Sequence, residues 1–219
     1  MTAKKRFPWK IGTTSFILPA TIEENVVFLA RLVDDVQLLF FETPSASVPA
    51  NDYNAAVLQQ IAAQWGVGFT VHLPVDIRPG SSDRRKRVGA VDVIVWLLEE
   101  LAPLAPRCYD LHLPLEDDIG RDEWLDNIDA FLYQLARRIG QLRTLVAIEN
   151  IDYPFGWIRS LVTGHGFSLC LDVGHALLFA DNLSTMLADL SGVHHVHYHG
   201  VREGRDHQAL HAGQQALTE

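Results

Sequence analysis

Short apolar runs alternate with longer amphipathic stretches along most of the chain. The short runs are rich in Val, Ile, Leu and Phe and are bounded by Gly, Pro or Asp, which is typical of β-strands. They predict strands over residues 9–16, 36–42, 68–74, 108–114, 144–151, 167–172 and 193–201. The stretches between them have the 3.6-residue period of helices. They predict helices over residues 22–32, 53–65, 84–101, 123–139, 156–162 and 182–190.

Strands that alternate with helices form a parallel sheet covered by helices. Two architectures satisfy this rule, an open doubly wound sheet and a closed (β/α) barrel. The first strand leads into Gly12-Thr13-Thr14-Ser15, with neither G-x-G-x-x-G nor G-x-x-x-x-G-K-[ST] there. A nucleotide-binding doubly wound fold therefore has no support.

The strand ends favour the barrel, because a barrel brings the C-terminal end of every strand to one rim. Ionisable side chains occupy six of these ends: Glu42, His72, His112, Glu149, Asp172 and His199. In the seventh strand, Val196 and Tyr198 alternate with His195, His197 and His199. We expect the apolar pair to pack on helices and the histidines to point into the barrel.

We therefore predict an α/β fold, a TIM-like (β/α) barrel that forms a single domain over residues 1–219, with residues 1–8 and 208–219 as flexible ends. Only 18 residues follow Val201, whereas a βαβ unit takes about 30. About seven parallel strands are expected, so the barrel is predicted to be incomplete, with the eighth strand missing or truncated.

Composition and charge narrow the function. The chain is 48% hydrophobic and 21% charged, which is typical of a globular protein, and its longest nearly apolar run, 91–98, is too short to span a membrane. A formal net charge of −9 argues against a nucleic-acid partner. Cys108 and Cys170 alone cannot form a disulfide framework, which fits a cytoplasmic protein. We expect a small-molecule partner, and the sequence leaves the oligomeric state open.

Histidines and carboxylates on one rim predict a divalent-metal site, because neutral imidazole and ionised carboxylate bind zinc, manganese and iron(II). A lone histidine at a strand end is more often a packing residue, but so many inward ionisable groups would be unpaired without a metal. The candidate ligands are His72, His112, Glu149, Asp172, His175, His199, Asp206 and His207. Gly174 is expected to let the backbone curl so that Asp172 and His175 face one pocket.

Several neighbouring residues have two interpretations. Arg202 and Arg205 flank the loop after the seventh strand and are candidates for holding an anionic substrate, with plain surface charge as the alternative. Cys170 and His195 also face inward, and we interpret both as packing residues, His195 in its neutral form.

These residues resemble the xylose-isomerase-like barrels, a superfamily of sugar isomerases and epimerases that also holds the AP-endonuclease-2 (endonuclease IV) group. The resemblance rests on Val-His72-Leu-Pro, Leu-His112-Leu-Pro, Ile-Glu149-Asn150, Leu-Asp172-Val-Gly-His175 and His197-Tyr-His199-Gly. More narrowly, three segments are similar to the cobamide-remodelling phosphodiesterases, which cut the phosphodiester of the corrinoid nucleotide loop. They are Ile-Gly12-Thr-Thr-Ser15-Phe-Ile-x-Pro19, Val33-Asp-Asp-Val-x-Leu-Leu-Phe-Phe-Glu42 and His199-Gly-Val-Arg-x-Gly-Arg-Asp206-His207.

The resemblance implies two or three divalent ions (zinc, manganese or iron) held by the eight candidate ligands, with Glu149 as a bridge between ions. We expect Glu149, Arg202 and Arg205 to be catalytic, and Glu42, His197 and Asn150 to contact substrate. The predicted function is hydrolysis of a small-molecule phosphodiester, because the many histidines favour a multi-metal hydrolase. The resemblance to the cobamide-remodelling enzymes implies that this substrate is a cobamide. Two alternatives stay open: a sugar or sugar-phosphate isomerase or epimerase, which needs one metal and two acid–base carboxylates, and an inactive metal- or metabolite-binding barrel.

Overall fold

The computed structural model describes residues 3–40, 53–179 and 183–210. The chain divides into two compact units: residues 1–77 with 89–111 form the first, and residues 78–88 with 112–219 form the second. None of the helices in the described residues is long and apolar enough to cross a membrane.

The first unit contains a parallel sheet of four strands. Its elements are β1 (Gly12–Thr14), α1 (Ile22–Leu29), β2 (Asp35–Leu39), α2 (Ala55–Trp65), β3 (Gly68–His72), most of α3 (Arg84–Leu101) and β4 (Tyr109–Leu111). Strand β1 pairs with β2, β2 with β3, and β3 with β4, all in parallel. Phe69 and Val71 on one face of β3 and Thr70 and His72 on the other are all buried, as in strands covered on both sides.

Side-chain caps set the first helix boundaries. The Thr21 hydroxyl accepts a hydrogen bond from the backbone N–H of Glu24 at 3.2 Å, and the Glu24 carboxylate accepts one from the backbone N–H of Thr21 at 2.9 Å. This reciprocal pair satisfies two free amides at the start of α1. Helix α2 begins after Asn54, whose side chain accepts from the backbone N–H of Val57.

The second unit repeats the strand–helix alternation and ends in a hairpin. Its elements are α4 (Arg121–Ile139), β5 (Val146–Glu149), α5 (Arg159–Gly164), β6 (Ser168–Asp172), α6 (Val173–Leu178), α7 (Leu183–Ala188), β7 (Val193–His197), β8 (Gly200–Arg202) and β9 (Arg205–Gln208). Strands β5, β6 and β7 pair in parallel, and β8 pairs with β9 in antiparallel fashion.

Aromatic packing anchors the loop after β5. Helix α4 buries Trp124, Ile128 and Phe131, one apolar stripe at helical spacing. The indole N–H of Trp124 donates to the carbonyl of Pro114 at 2.9 Å. The same indole meets the buried ring of Tyr153 edge-on, with centroids 4.9 Å apart. These contacts hold the segment that follows Glu149.

The seven predicted strands are confirmed, each somewhat shorter than its apolar run. Two elements were not expected: α6 begins directly after β6, and the chain after His197 turns into the β8–β9 hairpin instead of extending β7 to Val201. Among the described residues, no eighth parallel strand follows β7. The single-domain assignment stays a prediction, and residues 211–219 of the predicted flexible end lie outside the described residues.

The outer face of β7 differs from the prediction. Val196 is 51% exposed and Tyr198 is 47% exposed, so the expectation that they pack on helices is wrong. Leu187 and Leu190, in and just after α7, are also exposed. The physical reason is local: α7 is only six residues long, and no further helix follows β7 in the described part of the chain.

Candidate metal centre

Two carboxylates of the second unit are buried at the C-terminal ends of strands. Glu149 ends β5 and Asp172 ends β6, and each is only 1% exposed. An ionised carboxylate without a partner is strongly unfavourable in such a place. The groups around these two side chains therefore decide what the site can hold.

Glu149 lies among three imidazoles. Its Oε2 is 3.0 Å from His197 Nδ1 and 3.2 Å from His112 Nε2, and its Oε1 is 3.5 Å from His175 Nδ1. Burial alone would raise the pKa of Glu149, but the charge and hydrogen bonds of His197 and His112 outweigh it and lower that pKa well below its usual range. The carboxylate is therefore ionised at neutral pH.

Asp172 connects a helix start to the same imidazoles. Its Oδ1 accepts the backbone N–H of His175 at 2.7 Å, which caps α6. The same oxygen is 3.0 Å from His199 Nε2. Its Oδ2 lies 3.8 Å from His197 Nδ1. Asp172 thus positions the first turn of α6 while it faces the histidines of β7 and the loop that follows.

Asp206, on β9, contacts three further imidazole nitrogens. It lies 3.1 Å from His175 Nε2, 3.2 Å from His199 Nδ1 and 3.1 Å from His207 Nδ1. Burial would raise the pKa of Asp206, but the backbone N–H of His207 and the three imidazoles lower it. Burial alone would lower the pKa of His199. Its hydrogen bonds to Asp172 and Gly200 and the charges of Asp172 and Asp206 outweigh burial and raise that pKa.

Ligand atoms in two groups approach closely enough to share cations. One group is Glu149, Asp172 and His197, and the other is His175, His199, Asp206 and His207. Within each group the atoms lie within 4.8 Å of one another. Mixed imidazole and carboxylate donors suit zinc, manganese and iron(II), so the residues present fit the divalent ions that the sequence predicts.

The pairing of β6 with β7 decides which histidines face Asp172. The register aligns Leu169 with Val193, Cys170 with His195 and Asp172 with His197, with an irregularity between Leu169 and Cys170. A regular ladder from the first of these pairs would place Val196 beside Asp172. The extra residue of β7 places His197 there instead, and bulges of this kind often re-aim side chains at active sites.

Asn150 holds β5 and β6 in alignment beneath the site. Its amide N–H donates to the carbonyl of Asp172 at 2.9 Å, and its Oδ1 accepts the backbone N–H of Asp172 at 2.7 Å. Its own carbonyl lies 3.0 Å from His175 Nδ1. These bonds assign Asn150 a positioning role, and its predicted contact with substrate stays a prediction.

Gly174 is needed for a different reason from the one predicted. It lies within α6, and a Cβ built on it would overlap the imidazole of His199, 2.5 Å from Nε2. Close approach of a neighbouring ring, and not a curled backbone, therefore demands glycine here. Gly200 is similar, because its Cβ would lie 2.5 Å from the carbonyl oxygen of Ala209.

The second unit brings together seven of the eight predicted ligands: His112, Glu149, Asp172, His175, His199, Asp206 and His207. The eighth, His72, belongs to the first unit, where it is 8% exposed and its Nδ1 lies 2.8 Å from the carbonyl of Leu73. Its role as a ligand stays a prediction. Glu42 lies outside the described residues.

His197 lies beside Glu149 and Asp172, and its predicted contact with substrate stays a prediction. The signal was present in the sequence, because His195, His197 and His199 alternate on one face of the strand. Arg202 and Arg205 are exposed and occupy opposing positions of the β8–β9 hairpin. Arg202 Nε lies 3.7 Å from Glu203.

The chain resembles known proteins in its structure. No family model matches the chain, and no curated protein matches it. A D-tagatose 3-epimerase-like protein has a TM-score of 0.72 and 22% identity, covering 94% of this chain and 81% of its own. An AP endonuclease of family 2 from Brucella melitensis has a TM-score of 0.70 and 15% identity, covering 94% and 85%.

Endonuclease IV from Thermus thermophilus has a TM-score of 0.63 and 17% identity, covering 93% of this chain and 82% of its own. These neighbours include an epimerase-like protein and endonucleases on one common architecture, and identities this low establish the fold alone. The chain has the fold of the xylose-isomerase-like TIM-barrel proteins, an incomplete α/β barrel with seven parallel strands among its described residues.

Proposed function

We propose that the chain is a divalent-metal-dependent phosphodiesterase. The observation that carries this proposal is that Glu149 and Asp206 each contact three imidazoles, at 3.0–3.5 Å and 3.1–3.2 Å respectively. One cation rarely needs so many donors, since catalytic zinc takes three protein ligands. The two groups of ligand atoms therefore suit more than one ion, as in two-metal hydrolases.

Two groups of residues would each bind one divalent ion. Glu149, Asp172 and His197 would hold one ion, His175, His199, Asp206 and His207 a second, and His112 reaches Glu149 from the loop after β4. Bound divalent ions supply Lewis-acid stabilisation of phosphoryl oxygens and a water with a lowered pKa. Glu149 stays ionised because its pKa is low, so it serves as an anionic metal ligand and not as a general acid.

The arginines of the hairpin suit an anionic substrate. In phosphodiester hydrolysis the oxygen of water bonds to phosphorus, the bond to the leaving oxygen breaks, and the leaving oxygen takes a proton. Negative charge builds on the phosphoryl oxygens as this happens, and guanidinium groups stabilise it well. Arg202 and Arg205 are exposed on the hairpin that carries Asp206 and His207, so we assign them to the substrate phosphate.

A small phosphodiester is the preferred substrate class. A net charge of −9 repels polyanions such as duplex DNA. Within this class, a cobamide is the first compound to test, because three short segments of the sequence resemble the cobamide-remodelling phosphodiesterases.

Chelation, reconstitution and a matched pair of variants test the proposal. Protein stripped of metal is incubated anaerobically with iron, manganese or zinc and either bis(p-nitrophenyl) phosphate or a cobamide. We expect turnover to depend on metal and Glu149→Gln to lower kcat by about 10³-fold or more, comparable to the loss of one key electrostatic group. Glu123→Gln, an exposed carboxylate in the first turn of α4, is the control and should change kcat less than twofold. Unchanged turnover in Glu149→Gln would contradict the mechanism.

An isomerase or epimerase is the second candidate, supported by the structural similarity to a D-tagatose 3-epimerase-like protein. This reaction moves a proton at a carbon next to a carbonyl. A panel of ketoses and ketose phosphates in deuterium oxide separates the two candidates, because only an isomerase or epimerase exchanges that proton with solvent. Metal binding without turnover in either assay would instead indicate an inactive metal-binding barrel.

A further inference from the structure

A thiol joins the imidazoles one layer below the carboxylates of the second unit. Cys170 precedes Asp172 by two residues on β6, and His195 precedes His197 by two residues on β7. Ligand atoms of Cys170, His195 and His197 all lie within 4.8 Å of one another. The two imidazole rings meet edge-on, with centroids 4.9 Å apart. This set differs in chemistry from the centre above it, because it offers sulfur.

The irregular register of β6 and β7 creates this set. Continuation of a regular ladder from the Leu169–Val193 pair would place His194 opposite Cys170. The structure pairs Cys170 with His195 instead, while His194 Nδ1 lies 2.9 Å from the Ser168 hydroxyl. Partners in a parallel pair face the same way, so both His195 and His197 lie on the side of Cys170.

The donor set suits a thiophilic ion. Thiolate together with imidazole selects zinc and related borderline or soft metals. A tetrahedral zinc ion with bonds of about 2.3 Å to sulfur and 2.0–2.1 Å to nitrogen holds its ligands about 3.3–3.6 Å apart, within the observed limit. Cys170 is 0% exposed, and a cysteine binds metal as its thiolate. Binding would break the S–H bond, form the metal–sulfur bond and release one proton to solvent.

We propose that Cys170, His195 and His197 form a second, thiolate–imidazole site for zinc, which shares His197 with the proposed catalytic centre. Zinc in proteins is usually four-coordinate, and these three residues would supply one thiolate and two imidazoles. His197 belongs both to this set and to the group that contains Glu149 and Asp172. A zinc ion bound here would therefore fix the His197 ring in place beside the proposed catalytic centre.

Cobalt(II) spectroscopy of the full chain tests the site without measuring turnover. Cobalt bound to thiolate gives a sulfur-to-metal charge-transfer band in the near ultraviolet. We expect the band in the wild-type protein, saturating at about one ion per chain and displaced by zinc. Cys170→Ser should abolish it. Cys108→Ser, the matched control at the other buried cysteine, should keep it at full intensity.

Two further variants distinguish loss of this site from loss of the catalytic centre and from unfolding. Glu149→Gln removes a ligand of the proposed catalytic centre but none of this site, so the band should persist while phosphodiesterase activity is lost. His195→Asn should weaken cobalt binding at least tenfold with an unchanged circular dichroism spectrum, which separates ligand loss from unfolding of the Cys170 variant. A band that survives in Cys170→Ser, or that never forms in folded wild-type protein, overturns the proposal.

Discussion

Gly174→Ala examines whether the candidate centre depends on a close approach between α6 and His199. The added Cβ would lie 2.5 Å from His199 Nε2, whereas non-bonded atoms prefer about 3.5–4.0 Å. Two other atoms of the ring, Cε1 and Nδ1, would lie closer still, so the ring must move by more than about 1 Å. That movement breaks the 3.0 Å contact with Asp172 and the 3.2 Å contact with Asp206.

The magnitude follows from these two contacts. A hydrogen bond to a charged group contributes about 1.5–3 kcal/mol, and relaxation of the exposed hairpin recovers part of the loss. We expect metal affinity to fall by about 10- to 100-fold, which corresponds to about 1.4–2.8 kcal/mol. In the metal-free protein, overpacking costs about 1–3 kcal/mol, while alanine is favoured over glycine in a helix by about 1 kcal/mol. The net loss of folding stability should therefore be small.

Competition with a fluorescent zinc chelator measures the affinity, and urea unfolding in EDTA measures the stability. The control is Gly164→Ala at the end of α5, where a Cβ would meet nothing within 4 Å. It should leave zinc affinity unchanged. If Gly174→Ala binds zinc as tightly as the wild-type protein does, metal binding does not depend on the close approach of α6 to His199.

Three other predictions concern pH, the hairpin and the first helix. In metal-free protein the pKa of His199 is raised, so its ion pairs stabilise the fold fully below about pH 6.5 and this stabilisation is lost as pH rises through the folded-state pKa. The melting temperature in EDTA should therefore fall from pH 6 to pH 8.5. His199→Gln should make the melting temperature depend less on pH. Gly200→Ala should open the hairpin, because its Cβ meets the backbone of Gln208 and Ala209. Metal affinity should then fall at least tenfold as Asp206 moves, whereas Gly156→Ala, in open space, should retain wild-type affinity. Thr21→Ala removes the cap of α1 and should lower the free energy of unfolding by about 1 kcal/mol. Its zinc affinity should equal that of the wild-type protein, and a changed affinity would contradict a centre built from the second unit.

Most of the fold could be predicted because local pattern and tertiary environment agree. Helix α3 was predicted at its observed bounds, residues 84–101, since a long periodic stretch leaves little ambiguity. The β8–β9 hairpin could not be predicted in this way. Its sequence, with Arg205, Asp206, His207 and Gln208 in one strand, has no apolar alternation, and its pairing depends on the close approach of Gly200 to Gln208.

The candidate site was predictable by residue type and strand face, but not by register. Alternation placed His195, His197 and His199 on one side of the seventh strand. Which of them meets Asp172 depends on an irregularity in the ladder between Leu169 and Cys170, and no property of a single strand encodes it. The sequence therefore predicts which strand face carries the histidines, but not which of them lies opposite Asp172.

The apolar outer surface of β7 bears on how the protein must be handled. Val196 in β7 and Tyr198 just after it, and Leu187 and Leu190 before the strand, are each close to half exposed, and exposed apolar side chains promote contacts between molecules. Because hydrophobic association strengthens as water warms from near freezing, concentrated samples should scatter more light at 25 °C than at 4 °C. Purification and crystallisation would then benefit from the cold, from low protein concentration and from solutes that wet nonpolar surfaces.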